Sequence, residues 1–306
     1  MRPHRPRMTD KLQCHEPDLQ KRVLAWLETE GFPTEFRTTM AFRAAGFHAR
    51  QGVHYRADGT PREIDVVADR TLREDELWVR CKFVVECKWA SKPWVIFTDK
   101  YSRIAPAACV SQTMGSNAGS ALLWLTAGSS EVQKLKMFAT PGMPGFGGRQ
   151  AFSRGDDQFY KAMAGVTTAA STLAASYDEH RKPGEAPKHA VCVFPVVVVE
   201  GALFQAFYNP DGGEMKVEPT NHVRCHWKGS PTWKWHATVD IVTLEGLPKY
   251  LSELGPDVDK LLSMMINGQK DLRSAFECGS IASLKIHPGS RGMIGLHPLL
   301  AEIRNP

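Results

Sequence analysis

Two short stretches of the 306-residue chain place charge where an apolar strand should exclude it. The first is Arg62-Glu63-Ile64-Asp65-Val66-Val67-Ala68, with Asp65 among β-branched residues. The second is Phe83-Val84-Val85-Glu86-Cys87-Lys88-Trp89, which closes on a carboxylate and a lysine. Asp is disfavoured in strands, and an unpaired charge in a covered sheet is either costly or shifts its pKa. A divalent cation is the natural compensation, because Mg²⁺ takes oxygen ligands, usually one or two carboxylates, and completes its shell with water and phosphate oxygens. The strand period of two puts Lys88 on the face of Glu86. An ammonium there orients or activates an attacking water and offsets charge building on a phosphate, while the metal polarises the P–O bond. The chemistry is hydrolysis of a phosphodiester. The competing reading of the same residues is a cross-strand ion pair on a solvated sheet face.

The elements that must hold these residues are readable in outline. Pro17, the helical spacing of Leu19, Val23, Trp26 and Leu27, and Gly31 predict a helix over 17–30. Thr34 as N-cap, with Phe36, Met40 and Ala44 on one face, predicts a second helix ending at Gly46, with Glu35 in its first turn. Taken alone, Glu35 is also a carboxylate that would stabilise a helix N-terminus. From Phe47 the period becomes two, Asp58-Gly59 offers a hairpin turn, and strands are expected at 62–68 and 77–89. Residues 92–150 read as an insertion, with a helix near 102–117, an apolar piece at 120–126, and a Gly/Pro loop at 141–148 acting as a connection or a lid. A helix is expected at 156–179. The strand at 191–199 is apolar on both faces, and its Pro195 predicts an edge position or a bulge. Strand-like pieces at 203–208, 222–228 and 235–243 form a β-rich appendage before a helix over 247–265. The expected class is α/β or α+β with a mixed sheet. The division is a mobile tail at 1–15, a main domain at 16–265 and a C-terminal extension at 266–306.

With an Asp at the end of one strand and Glu-x-Lys on the next, the sequence resembles the PD-(D/E)XK nuclease superfamily, the restriction-endonuclease-like fold, whose αβββαβ order it shares. The resemblance rests on Asp65, Glu86 and Lys88 and covers residues 34–90, then element order alone to 200. Ile64 stands where the motif has proline. In many members a Glu in the helix before the first strand also reaches the metal, and Glu35 fits that position. The resemblance implies a Mg²⁺-dependent endodeoxyribonuclease, with Mn²⁺ able to substitute, DNA as substrate with RNA not excluded, a homodimer, and a setting in defence or repair. Some branches also carry a Gln on the helix after the third strand, a part open to Gln158. The alternative function is a catalytically silent nucleic-acid-binding subunit on the same fold.

Composition only bounds these readings. With 42% hydrophobic and 23% charged residues the chain should fold, and its longest apolar run, Ala190 to Val199, falls short of a membrane span. No secretory pattern follows the basic first residues, so a cytoplasmic protein with no membrane partner is expected. Seven cysteines, an odd number, suit reduced thiols. Lys and Arg outnumber Asp and Glu by 38 to 33, which permits nucleic-acid binding without requiring it. Candidate phosphate contacts are Arg154, Lys161, Arg181, Lys182, Arg224 and Lys228. The stretch Arg224-Cys225-His226-Trp227-Lys228 with Trp233-Lys234-Trp235-His236 suits either single-strand binding or, preferably, hairpin packing. His222, Cys225, His226 and His236 match no standard zinc spacing.

Overall fold

A computed structural model describes residues 16–57, 59–153, 158–209, 211–230, 232–290 and 297–304; the tail predicted at 1–15 and Asp58 of the predicted turn lie outside them. Helices α1 (Glu16–Thr29) and α2 (Phe32–Ala44) meet at Gly31, whose φ of +83° ends one helix and starts the next. The cap therefore falls at Gly31 and not at Thr34, whose buried hydroxyl donates to Glu200 at 2.5 Å. Strands β1 (His48–Ala57), β2 (Thr60–Glu74) and β3 (Leu77–Trp89) follow as an antiparallel meander. The second outruns its predicted end because Asp69, Arg70 and Arg73 mask the alternation. Its ladder nonetheless continues to Glu74, with Asp69 paired to the buried Lys82 at 3.3 Å.

Residues 92–150 are built into the sheet. They supply β4 (Trp94–Thr98), α3 (Pro106–Ser111), β5 (Met114–Gly115), α4 (Asn117–Thr126), α5 (Ser130–Gln133) and β6 (Gly145–Gln150). Neither an insertion hung outside the core nor a long helix at 102–117 is found. The Gly/Pro loop is no lid: its second half is β6, where a Cβ on Gly145 would come within 2.5 Å of the Cys225 sulfur. Only glycine lets this strand lie so close to its neighbour.

Helix α6 (Gln158–Ser176) is followed by β7 (His189–Glu200), β8 (Leu203–Asn209), β9 (Glu214–Pro219), β10 (His222–Trp227), β11 (Ala237–Thr243), α7 (Leu247–Cys278) and α8 (Pro298–Arg304). The sheet order is β1-β2-β3-β7-β11-β10-β6-β4-β8-β9, with β5 also on β7, so the class is α+β with a mixed sheet. Strand β7 is central and pairs in parallel with both β3 and β11. Pro195 is tolerated there because β5 covers Cys192 and Val193 while β11 begins its pairing at Val196, which leaves no ladder partner opposite the proline on that side. The β-rich run at 203–243 is likewise part of this sheet and not an appendage. Strand β9, unanticipated, is fully exposed, and its Glu214, Lys216, Glu218 and Pro219 suit an edge.

Alternate residues of β7 enter different cores. Ala190, Cys192, Phe194, Val196 and Val198 pack with α2, α4 and α7, whereas Val191, Val193, Val197 and Val199 pack under α6. The boundary expected at 265 falls inside α7, which runs on to Cys278, and Leu272, Leu299, Leu300 and Ile303 share the core of β3. The six described cysteines are free thiols, five of them buried, and no described helix is long and apolar enough to cross a membrane.

Helix α4 is tied to β7 through one hydroxyl. Fully buried Ser116 caps the helix by accepting the Gly119 N–H at 3.1 Å and also accepts the Val191 N–H at 3.1 Å. Ser116→Ala strands two buried donors and should destabilise the protein by about 2 kcal/mol in urea unfolding; an unchanged midpoint would show that water replaces the hydroxyl.

Candidate active site

The β2–β3 register runs from Glu74↔Leu77 to Val66↔Val85. Asp65 and Glu86 are the first residues beyond its last pair on the two strands. The regular ladder stops there. The Asp65 carboxylate takes over the role of backbone partner, its Oδ2 accepting the Cys87 N–H at 2.7 Å. This bond explains why an aspartate is tolerated in an apolar strand, and it fixes one carboxylate beside the next strand's Glu86. Lys88 Nζ donates to Glu86 Oε1 at 2.5 Å.

Apolar neighbours wall the cluster. On β7, Val197 and Val199 lie beside Glu86 and Lys88. Helix α6 crosses above: a Cβ on Gly165 would sit 3.5 Å from Glu86 Oε2, so the helix passes over the carboxylate with no side chain between. Gln158 and Lys161 lie seven and four residues earlier on the same stripe of α6. Glu35 enters from α2, close enough to feel Asp65, Glu63, Glu86 and Lys88. The four residues expected at the site are therefore brought together.

Their charges are poorly balanced. Burial, then the Asp65 and Glu63 charges, push Glu35 up to about 7, against the pull of Lys88. Burial and Glu86 push Asp65 up to about 6, although the Cys87 N–H and Lys88 oppose this. Burial would lower Lys88, but the Glu86 and Asp65 carboxylates more than reverse it, and its pKa is raised. The buried Cys87 thiol is pushed well up by desolvation and by Asp65, so it is not a nucleophile.

Sequence reasoning missed Glu63, although the period of two already placed it on the face of Asp65. It also missed Tyr55, whose β1 position opposite Arg62 brings it within the influence of Glu86. A third omission is Glu200, which ends β7 beside Trp89 and binds Thr34 and Arg37, the latter at 2.8 Å; only strand order brings it there.

The donor set is all oxygen, and burial followed by like charge raises the pKa of Glu35 and Asp65, a donor set that a hard cation such as Mg²⁺ would suit. Among the described residues no group of three or more His, Cys, Asp or Glu side chains is placed to hold a metal ion.

The expected phosphate contacts fare unevenly. Arg224 is not a surface cation: it is buried, clasps Asp240 at 2.8 and 2.6 Å, and donates to the carbonyls of Lys136 and Ala139. Lys228 is exposed beyond β10, Arg181 binds Glu302, and Arg154 lies outside the described residues. Trp227 is buried edge-on against Phe159, as hairpin packing requires. The histidines of the zinc reading diverge, His222 to Asp240 and His226 to the Ser102 carbonyl.

Compared with protein families, curated proteins and solved structures, the chain finds no match.

A carboxyl whose folded pKa lies above its unfolded value holds its proton longer in the folded state. Stability without metal should therefore fall as pH rises from about 4.5 to about 7 through Glu35. In EDTA, Glu35→Gln should match wild type near pH 4.5 and exceed it above pH 7 by about 1 kcal/mol after solvent screening. Thermal melts across pH check this, and parallel wild-type and variant curves would refute the crowding of charge.

Proposed function

We propose that the protein is a divalent-cation-dependent nuclease that hydrolyses phosphodiester bonds, with DNA as the first substrate to test, on a site of the PD-(D/E)XK type. The observation that carries the reading is the set of Asp65, Glu86 and Lys88 at the end of the β2–β3 ladder, with Glu35 beside it and its charges left unneutralised. The order α2, three antiparallel strands, α6 and a strand parallel to β3 supports it further.

Asp65 and Glu86, with Glu35, would hold Mg²⁺, or Mn²⁺ in its place. When bound, the ion polarises the P–O bond and lowers the pKa of water. Lys88 stays an ammonium because its pKa is raised, so it orients the attacking water and offsets charge on the phosphate and does not act as the base. Glu86 fixes the lysine through the 2.5 Å bond. Val197 and Val199 keep that side of the cluster dry, which strengthens each charge interaction. A nuclease that cuts both strands of a duplex needs two such sites, and a homodimer supplies them.

Wild type incubated with Mg²⁺ or Mn²⁺ should cut DNA, and Lys88→Ala should lower the rate by about 10²-fold or more. Cutting that is metal-independent, or equal in both proteins, overturns the proposal. Calorimetric titration with Mn²⁺ separates it from the binding-only alternative. Heat that vanishes in the Asp65→Asn, Glu86→Gln double variant supports a metal-dependent enzyme, and no heat in wild type favours a silent binding subunit.

A further inference from the structure

Exposed aromatic rings stand near the end of β3, which carries Glu86 and Lys88. Trp89 follows Lys88 directly and is half exposed, with its Cβ 3.6 Å from where a Cβ on Gly31 would stand, so it lies against the α1–α2 junction. There Trp26 and Phe32 pair at 5.8 Å between centroids, both partly open to solvent. Phe36, next to Glu35, is 58% exposed. Lys92 donates to the Phe152 carbonyl at 2.9 Å and the Ala151 N–H binds the Pro93 carbonyl, which anchors Phe152 beside the segment that leaves β3. Phe152 has a φ of +57° and is 85% exposed, so its ring stands out in water.

Two cations at the site are paired with carboxylates: Arg37 with Glu200 at 2.8 Å and Lys88 with Glu86. A duplex presents phosphates to cations and hides the faces of its bases, whereas an unpaired strand offers those faces for stacking. Resting on the nuclease reading above, we propose that this site takes single-stranded nucleic acid, with unpaired bases stacked on Trp89 and Phe152 at the end of β3, next to the carboxylate–lysine cluster. The rings are planar and stand at the end of the strand that carries Glu86 and Lys88, the residues of the proposed phosphate chemistry, which favours bases over an apolar protein surface as their occupant.

Binding of fluorescein-labelled oligothymidylate, oligouridylate and a blunt DNA duplex to the full chain in EDTA tests this without cleavage. A single strand should bind at least about tenfold more tightly than the duplex. Trp89→Ala and Phe152→Ala should each weaken it at least about fivefold, and Trp89→Phe should restore most of the loss. Tighter binding of either single strand supports the proposal and shows whether DNA or RNA is the source. Duplex binding as tight as single-strand binding overturns it, as does unchanged affinity in both alanine variants. A change only in oligomeric state, read by sedimentation, also overturns it and assigns the rim to a second copy of the chain. Parallel incubations with Mn²⁺ keep the two readings separate. Duplex cut by a protein indifferent to Trp89 defeats the stacking alone, and single strands bound through Trp89 but never cut defeat the nuclease alone.

Discussion

The bond from the Cys87 N–H to the Asp65 carboxylate is the constraint on which the site depends. A β-ladder that continued past Val66 and Val85 would satisfy both backbones and leave Asp65 as a charge to be solvated or excluded. Substituting a side-chain oxygen for a backbone carbonyl lets the ladder stop while the Cys87 N–H keeps a partner. The carboxylate is thereby oriented from both ends, by its own strand and by its neighbour. Glu86 and Lys88 need no such device, because the alternation of β3 already gives them a shared face, and Val197 and Val199 of the central strand β7 hold that face from the side. The rest of the sheet can be seen as what keeps β3 straight: β7 pairs with it along its whole length, from Trp78 to Trp89.

The local pattern carried most of this and little of the long-range order. Residues 77–89 alternate so cleanly that the strand ends where expected, and Asp65, Glu86, Lys88 and Glu35 could be grouped because each sits at a defined place in its own element. Strand order is different in kind. That β7 lies between β3 and β11, or that β4 and β6 belong to the same sheet as β1, depends on partners more than forty residues away, and no short window of sequence contains them. Pro195 shows the consequence. Read locally it demotes its strand to an edge, but the proline falls in the gap between two short partners, a fact visible only when both are in place. Glycines in 141–148 misled in the same way, since a residue chosen for close approach to Cys225 has the same letter as one chosen for flexibility.

Arg224 and the site charges were indistinguishable as letters, and the structure separates them by how completely each is answered. Asp240 accepts from Nε and Nη2 of Arg224, from the Tyr250 hydroxyl at 2.7 Å and from His222 at 2.8 Å, while Arg224 Nη1 donates to two carbonyls. Burial alone would raise Asp240, but Arg224 and His222 hold it well below the usual carboxylate range. Such a cluster fastens α7 and the segment around 136–139 to β10 and β11, and losing one member would leave a buried charge alone. At the site the balance has the opposite sign: Asp65 and Glu35 are both raised, and one lysine serves three carboxylates. Folding would not favour that arrangement for its own sake, since charge crowded behind valine walls destabilises the native state until something positive enters. A satisfied cluster and an unsatisfied one on the same sheet therefore mark different uses of buried charge. The first holds elements together, and the second leaves the uncompensated charge that the proposed metal site would use.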